Sequence, residues 1–413
     1  MRIAFIVGSF PTLSETFILN QITGLIEMGH EIDIYSRFKP NQEKIHPDVA
    51  KYNLLDRTYY FRPVPANKLV RLLEAFYLII YNFHKNPISI LNSLNFFKYG
   101  KEALSLNNFY HVLPFLRKKK YEIIHCHFGP NGNLGVLLRE IGAIEGKIIT
   151  SFHGYDVNTI TQNDFYAQLF RHGDLFTVNT KFTKAKVLEL GGDFKRTYIL
   201  PVGLSLDKFP CKKRIIKADE AIRVLTVARL VEKKGLEYSI KAVAKVSCKY
   251  PNCKVEYNIA GDGPLKDKLK SLILELGMED KIKLLGWCNE NEVRNLFEES
   301  HIFVLSSVTA ENGDREGQAL VLQEAQAVGL PVISTLHNGI PEGVLDGKSG
   351  FLVPERNVDA LKKKLEYLIN HPKICPEMGR AGRKFVEEHY DIKKLNKKLV
   401  KIYEELLNER EHL

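Results

Sequence analysis

Paired cysteines are missing from this chain. Its 413 residues include six cysteines, with no CxxC pair and no spacing of cysteine and histidine that a zinc site uses. That pattern excludes a disulfide-stapled secreted scaffold, and free thiols in a reducing cytosol are the simplest interpretation. The HCH triplet at residues 125–127 fits this interpretation, because alternation on a strand places His125 and His127 on one face and Cys126 on the other. No metal is expected there.

Long apolar runs are also missing. The longest strongly apolar run in the basic region, residues 75–81 (AFYLIIY), is far too short to span a bilayer. The opening residues, MRIAFIVGSF, read as a strand and lack the charged-then-apolar plan of a signal peptide. We therefore expect a cytoplasmic protein, with any membrane contact confined to the inner face of the cytoplasmic membrane.

Two common nucleotide-binding signatures are absent. No GxGxxG or GxxxxGK[ST] stands between a strand and a helix. A dinucleotide-dependent oxidoreductase and a P-loop enzyme are therefore disfavoured.

Acidic residues are scarce in one region. Residues 51–120 hold twelve lysines and arginines against three acids, so most of the formal charge of +10 lies there. Aromatic residues are interleaved with the basic ones, and helices with apolar and basic faces suit an anionic membrane surface. The runner-up interpretation is a buried helical insertion with a solvated basic face. No nucleic-acid-binding motif accompanies the charge, so nucleic acid is not an expected partner.

Short apolar strands alternate with amphipathic helical stretches along the whole chain. This alternation predicts α/β architecture with parallel sheets covered on both faces. The pattern restarts at Arg223 after a proline-containing linker at residues 199–213. We expect two Rossmann-like domains, at residues 1–205 and 206–389, and a C-terminal helix within residues 390–413.

Two glutamates eight residues apart, Glu316 and Glu324, mark the most informative segment. Eight residues of α-helix rise roughly 12 Å, so both acids cannot serve one small group from a single helical stripe. We expect Glu316 on a loop and a helix starting near Gly317, with Glu324 about two turns in. The bare N–H groups of that helix end would suit an anion. A surface helix with two solvated glutamates remains the alternative from spacing alone.

Two cations follow a strand in the sequence VARLVEKKG. Arg229 and Lys234 suit a diphosphate, because a guanidinium binds it bidentately and an ammonium acts as a compact charge. Lys233 is expected to be the solvated member of the lysine pair. A solvated basic turn is the alternative.

Further candidates lie at predicted strand ends. The GDGP turn carries Gly261 and Gly263, which permit close backbone approach. His153 ends a strand, where it could hydrogen-bond a sugar or a pyrophosphate, or simply cap the strand. In open α/β sheets ligands bind at such carboxyl ends.

Together these motifs resemble glycosyltransferase family 4, and the match runs in order over nearly the whole chain. It comprises the His153-Gly154 pair, VARLVEKKG, IAGDGP, the Gly286-Trp287 pair and E-x7-E followed by GLPVIST. The segments FPTLSETFI and HFGPNG are similar to the colanic-acid and amylovoran branch of bacterial exopolysaccharide glycosyltransferases. The resemblance implies a GT-B fold of two facing Rossmann-like domains with a central cleft, whose closing helix packs back on the N-terminal domain.

The resemblance also implies a retaining transfer of sugar from a nucleotide-sugar, UDP- or GDP-linked, to a hydroxyl of a lipid-linked saccharide. No cofactor and no metal would be required. Arg229 and Lys234 would neutralise the leaving diphosphate, Glu324 would bind the ribose and Glu316 would lie beside the donor sugar. The rest of the implied donor-binding set is Gly261, Gly263, Trp287, Gly317, Gln318, Ala319 and Leu320.

The N-terminal domain would contribute His153, which the resemblance groups with Glu316, Arg229 and Lys234 as catalytic. The implied acceptor-side residues are Gly8, Ser9, Phe10, Ser14, His127 and Asn131. Two other functions stay open from the sequence: a nucleotide-sugar epimerase of GT-B fold, and a catalytically silent sugar-nucleotide-binding protein.

Overall fold

The computed structural model describes most of the chain. The residues it describes are 1–12, 15–41, 45–116, 119–158, 160, 164–216, 220–250 and 254–408. They group into two compact units. The first comprises residues 1–178, 184–200 and 396–413, and the second comprises residues 179–183 and 201–395.

Up to residue 200 the described elements belong to the first unit, apart from residues 179–183. In chain order they are β1 (Arg2–Ser9), α1 (Thr16–Glu27), β2 (Glu31–Phe38), α2 (Pro47–Lys51), β3 (Thr58–Tyr60), α3 (Lys68–Asn82), α4 (Pro87–Ser93), α5 (Phe96–Tyr99), α6 (Lys101–Leu104), α7 (Asn107–Val112), β4 (Lys120–His127), α8 (Gly129–Ile141), β5 (Glu145–Phe152), α9 (Tyr155–Asn158), α10 (Ala167–His172), β6 (Leu175–Val178), α11 (Lys181–Glu189) and β7 (Thr197–Ile199). The strands pair in parallel in the order β3-β2-β1-β4-β5-β6-β7.

The second unit repeats the plan. Its described elements are β8 (Ile222–Val227), α12 (Leu236–Lys249), β9 (Val255–Ala260), α13 (Lys266–Glu275), β10 (Ile282–Gly286), α14 (Glu290–Glu299), β11 (Ile302–Leu305), α15 (Leu320–Ala327), β12 (Val332–Thr335), β13 (Gly350–Val353), α16 (Val358–Asn370), α17 (Cys375–His389) and α18 (Ile392–Asn408). Its strands pair in parallel in the order β10-β9-β8-β11-β12-β13.

Local sequence explains where these elements begin. Apolar β-branched runs such as IAFIV in β1 bury both faces of a strand, as a parallel sheet requires. Helix α14 begins at a capping box. The Asn289 side chain accepts a hydrogen bond from the backbone N–H of Glu292, and the Glu292 side chain accepts one from the backbone N–H of Asn289. The prediction of two α/β units with parallel sheets is confirmed.

Three short strands lie at or near the edges of the two sheets. β3, β7 and β13 are three or four residues long, too short for a periodic pattern to show. The boundary between the units also differs from the predicted one at residue 205. β7 ends at Ile199, and the chain passes to the second unit after Leu200.

Helix α18 is divided between the units, since residues from Asn396 onward belong to the first. There the Tyr403 hydroxyl hydrogen-bonds Nδ1 of His125 on β4. Nε2 of the same ring lies 2.7 Å from the Ser151 hydroxyl on β5. Burial lowers the pKa of His125 to about 3, so the ring is neutral and both of its nitrogens are satisfied inside the unit.

Membrane-spanning helices were also sought. Across the described ranges, every helix is either too short or too polar to cross a bilayer.

Replacing Tyr403 by phenylalanine would remove the hydroxyl and leave Nδ1 of His125 buried without this partner. We expect the variant to lose about 1–3 kcal/mol of stability, the cost of an unsatisfied buried polar atom. Chemical denaturation measures the change. Tyr77→Phe, at an exposed tyrosine on α3, is the control, and equal effects of the two substitutions would contradict the prediction.

Candidate functional site

Loops at the carboxyl ends of the second sheet carry the residues singled out above. Parallel strands end at one edge of a sheet, and ligands of open α/β sheets bind there. The loops after β8, β9, β11 and β12 therefore share that edge.

The loop after β8 is supported by the glycine turn after β9. A Cβ on Gly261 would lie 1.9 Å from the carbonyl oxygen of Ala228, and one on Gly263 would lie 2.7 Å from that of Leu230. Both glycines also have positive φ. The turn thus backs the segment carrying Arg229, whose guanidinium is exposed and has no hydrogen-bond or ion-pair partner among the described residues.

Lys234 lies at the end of a short 3₁₀ turn, Glu232–Lys234, directly before α12. Its Nζ is 3.0 Å from Oε1 of Glu316. The turn is closed by Gly235, where a Cβ would lie 2.0 Å from the carbonyl oxygen of Ser306. Lys234 is therefore held against the loop that leads to Glu316.

The prediction that Lys233 is the solvated lysine is wrong. Only 8% of Lys233 is exposed, and its Nζ lies 3.1 Å from Asp314 and 3.7 Å from Glu316. Both lysines approach the Glu316 carboxylate, Lys234 over 3.0 Å and Lys233 over 3.7 Å, and the sequence alone does not show that the pair is buried together.

Glu316 is a buried carboxylate on a fixed backbone. Its N–H donates to Nε2 of His337 over 3.1 Å, and its carbonyl accepts from the Asn338 amide over 3.3 Å. Nδ1 of His337 must then carry the ring proton, which it donates to Glu355 over 2.6 Å.

Charge keeps the buried carboxyl of Glu316 ionised. Burial by itself would raise its pKa, but the ammonium groups of Lys234 and Lys233 outweigh burial and hold the pKa below the ordinary value. The group is therefore a carboxylate at neutral pH.

Helix α15 begins three residues later than predicted, at Leu320 and not near Gly317. Ala319 occupies the position before it with φ +55°, a left-handed conformation that costs a non-glycine residue free energy. Glu324 is consequently the fifth helical residue, little more than one turn in. Helix-forming residues do not reveal such a turn in advance.

The turn before α15 exposes backbone donors. No described residue accepts a hydrogen bond from the N–H groups of Gly317, Gln318, Ala319 or Leu320. The side chain of Gln318 is already used, because it accepts from and donates to the backbone of Val202 over 2.7 Å each. Only the backbone of Gln318 is left for a ligand.

Glu324 differs from Glu316 in its electrostatics. Burial raises the pKa of its carboxyl to about 7, and the Glu290 carboxylate adds to the effect. It can therefore donate as well as accept a hydrogen bond near neutral pH. Trp287, after β10, is 57% exposed at the same edge of the sheet.

Histidines gather at the carboxyl edge of the first sheet. Nε2 of His127 lies 2.9 Å from Oε1 of Gln21, and Nδ1 lies 2.9 Å from Nε2 of His153. The rings of His125, His127 and His153 stack in sequence, with centroids 4.7 and 5.2 Å apart. Burial lowers the pKa of His153 to about 3 and that of His127 well below its usual value, so this stack carries no charge.

The predicted acceptor-side residues divide by burial. Phe10 is buried, and Asn131 is buried with its amide donating to the carbonyl of His127 over 2.7 Å. Gly8 and Ser9 are half-buried, and space beside Gly8 is open. Ser14 lies outside the described residues.

Sequence reasoning missed two residues that hold Glu316. His337 and Asn338 follow β12 in STLHNG, a polar pair at a strand end, and that position was the available signal. Within the described ranges, no three His, Cys, Asp or Glu side chains are grouped as metal ligands, and the expectation of a metal-free site stays a prediction.

Two protein-family models match the chain. Residues 14–208 match the model described as Glycosyltransferase Family 4, and residues 208–385 match the model described as Glycosyl transferases group 1. Between them they reach nearly every element of both units.

Two relatives match along their whole length. The chain is 33% identical over 413 residues to the putative colanic acid biosynthesis glycosyltransferase WcaL of Escherichia coli, which covers 98% of this chain and 100% of that one. It is 32% identical over 416 residues to the amylovoran biosynthesis glycosyltransferase AmsK of Erwinia amylovora, again covering 98% and 100%.

A solved structure supports the fold. Anabaena Alr3699/HepE in complex with UDP superimposes with a TM-score of 0.69 at 16% identity, covering 98% of this chain and 100% of that one. The same protein has also been solved with UDP-glucose. At this identity the likeness shows the fold alone.

The pKa of Glu324 predicts a pH-dependent stability. The folded protein holds this proton up to about pH 7, whereas the ordinary value is 4.5, so stability falls as pH rises through that window. Glu324→Gln removes the cost of ionising this half-buried group. We expect the variant to gain about 3 kcal/mol relative to the parent between pH 4.5 and 7, and no more above it.

Denaturation midpoints across this pH range measure the difference. Glu256→Gln, at an exposed glutamate on β9, is the matched control. A Glu324→Gln difference that stays constant with pH would show that the carboxyl titrates as it does in the unfolded chain.

Proposed function

The chain belongs to the glycosyltransferase family that includes WcaL and AmsK, and on that premise we propose that it is a retaining, metal-independent enzyme of exopolysaccharide synthesis. It would move a sugar from a nucleotide-sugar to a hydroxyl of a lipid-linked saccharide at the cytoplasmic face of the membrane. The GT-B fold is common to this chain and its solved relatives.

One observation carries the proposal: two cations and a run of unpaired backbone N–H groups lie on loops at one edge of the second sheet. Arg229 has no described partner, Lys234 lies over Glu316, and four backbone N–H groups precede α15. Fixed cations and oriented N–H groups are what a diphosphate requires.

The chemistry follows from where charge develops. Transfer breaks the bond between the anomeric carbon and the diphosphate oxygen, so negative charge grows on the leaving diphosphate. Arg229 and Lys234 would stabilise that charge, which is the part a divalent cation plays elsewhere. The new bond forms to the acceptor hydroxyl, whose proton the leaving phosphate oxygen can take up.

The remaining residues would orient the donor. Glu324, which can donate or accept, suits the vicinal hydroxyls of a ribose. Glu316 would lie beside the transferred sugar as a carboxylate. The neutral ring of His153, in the first unit, suits a hydroxyl better than a diphosphate, because it contributes no charge. The UDP and UDP-glucose held by HepE favour a uridine donor.

Donor binding tests the assignment. A thermal-shift screen of UDP-, GDP- and ADP-sugars identifies the base, because a ligand of the folded state raises the unfolding midpoint. We then expect Lys234→Ala and Glu324→Ala each to weaken donor binding at least tenfold by calorimetry, since each removes a polar contact worth over 1 kcal/mol. Lys241→Ala on α12 is the control.

Unchanged donor affinity in both variants would overturn the site. Incubating the donor without acceptor separates the transferase from an epimerase, which would convert the donor alone. A protein that binds donor but converts nothing with any saccharide acceptor would be the silent binding protein.

We also propose that residues 51–120 contact an anionic membrane surface. Helices α3 to α6 expose many large apolar side chains to solvent. They are Leu69, Val70, Leu72, Leu73, Phe76, Tyr77, Ile80, Tyr81, Ile88, Leu91, Phe96, Phe97 and Leu104. Apolar surface on this scale marks an interaction site, and the basic excess of the region favours anionic headgroups. A solvated basic face on a buried insertion does not account for these apolar groups.

Vesicle flotation tests the membrane contact. We expect the protein to float with vesicles containing phosphatidylglycerol at low salt, and Phe76→Ser to reduce the floating fraction severalfold because apolar burial is lost. Phe194→Ser, an equally exposed phenylalanine elsewhere in the first unit, is the matched control. Protein that stays in the soluble fraction, or equal losses in both variants, would contradict the proposal.

A further inference from the structure

Lys233 is a buried cation that the proposed reaction leaves unexplained. An ammonium group with so little exposure is stable only where carboxylates replace its water. Here Asp314 lies at 3.1 Å and Glu316 at 3.7 Å, and the carbonyl oxygen of Arg315 lies at 3.5 Å. The sequence offered no reason to bury it.

The backbone around Lys233 is tied to the loop that ends at Glu316. The Val308 N–H donates to the carbonyl of Lys233 over 2.9 Å, and the Glu311 N–H donates to the Glu232 side chain over 2.9 Å. Asp314 in turn accepts from the N–H of Arg315 over 2.8 Å. Lys233 therefore cannot move far from Glu316 without dismantling this loop.

Lys234 differs, because Glu316 is its ion-pair partner in the described structure and no second carboxylate tethers it. A diphosphate that recruits the Lys234 ammonium would draw it away from Glu316. The carboxylate would then be buried without its nearest cation, and an unpaired buried carboxyl takes up a proton. A second cation must therefore keep the Glu316 carboxylate ionised.

We propose that Lys233 is a positioning residue that stays with Glu316 and keeps its carboxylate ionised and in place while Lys234 binds phosphate. The Asp314 carboxylate, 3.1 Å from the Lys233 ammonium, keeps Lys233 in this position. This role rests on the proposed function in one respect, that phosphate recruits Lys234. Lys234 thus binds the ligand, and Lys233 stabilises the Glu316 carboxylate.

The charged and titratable groups around Glu316 set the expected signs. They are Lys233, Lys234, Asp314, Arg315, His337 and Glu355. Removing the Lys233 cation raises the pKa of Glu316, whereas neutralising Asp314 lowers it, because Lys233 then serves Glu316 alone. A general disturbance of the fold would not shift the pKa of Glu316 in opposite directions in the two variants.

The test uses the full chain labelled with ¹³C in glutamate carboxyl groups, with the Glu316 resonance assigned by Glu316→Gln. We expect Lys233→Met to raise the pKa of Glu316 by about one pH unit and Asp314→Asn to lower it. Adding inorganic pyrophosphate should leave Glu316 ionised at neutral pH in the parent and protonate it in Lys233→Met. Lys233→Arg should restore the parent behaviour, and Lys241→Met is the control.

Turnover gives the second readout. The acid limb of the kcat/KM profile should move to higher pH in Lys233→Met. Donor affinity should stay within about threefold of the parent, because Lys234 is the lysine that binds the donor phosphate. Asp314→Asn tests the same coupling if Lys233→Met does not fold. An unmoved Glu316 titration in both variants overturns the inference, and so does a donor affinity lost as in Lys234→Ala. A parent without transferase activity overturns the proposed function instead, because the titration needs no substrate.

Discussion

The Glu316 carboxylate has lost almost all contact with water, and a charge in that position persists only where fixed partners replace the solvent. Two lysines supply the opposite charge, while His337 and Asn338 fix the backbone before and after the side chain. Because Gly235 has no side chain, the turn that carries the two lysines can pack against the carbonyl of Ser306. This close approach brings that turn to the loop that carries Glu316. Much of the second unit's carboxyl edge is thus arranged around one compensated charge.

The two units meet different chemical demands with different side chains. The second keeps cations and bare N–H groups at its edge, as phosphate requires. The first buries His125 and His127 and half-buries His153, and all three rings are neutral. Neutral rings exchange hydrogen bonds with hydroxyls without attracting anions. Burial is the cause of this difference as much as residue type is.

Much of the fold was readable from the sequence because parallel strands are continuous apolar runs and the helices between them are periodic. The long elements β1 and α12 have such patterns, and α18 lies within the predicted range of residues 390–413. The site was less readable. The turn of both lysines toward Glu316 and the left-handed residue that delays α15 depend on contacts between loops far apart in sequence. His337 and Asn338 act on Glu316 through its backbone, which no spacing rule reports.

Helix α18 begins in the second unit and continues, from Asn396, in the first, where Tyr403 reaches His125. The first unit therefore contains the end of the chain as well as its beginning, and the second unit lies between them in sequence. Recombination between relatives that cut once, at the linker near residue 200, would carry a foreign α18 into the core of a native first unit. A functional chimera needs a second crossover near residue 395, so that the part of α18 that belongs to the first unit stays with the strands of that unit.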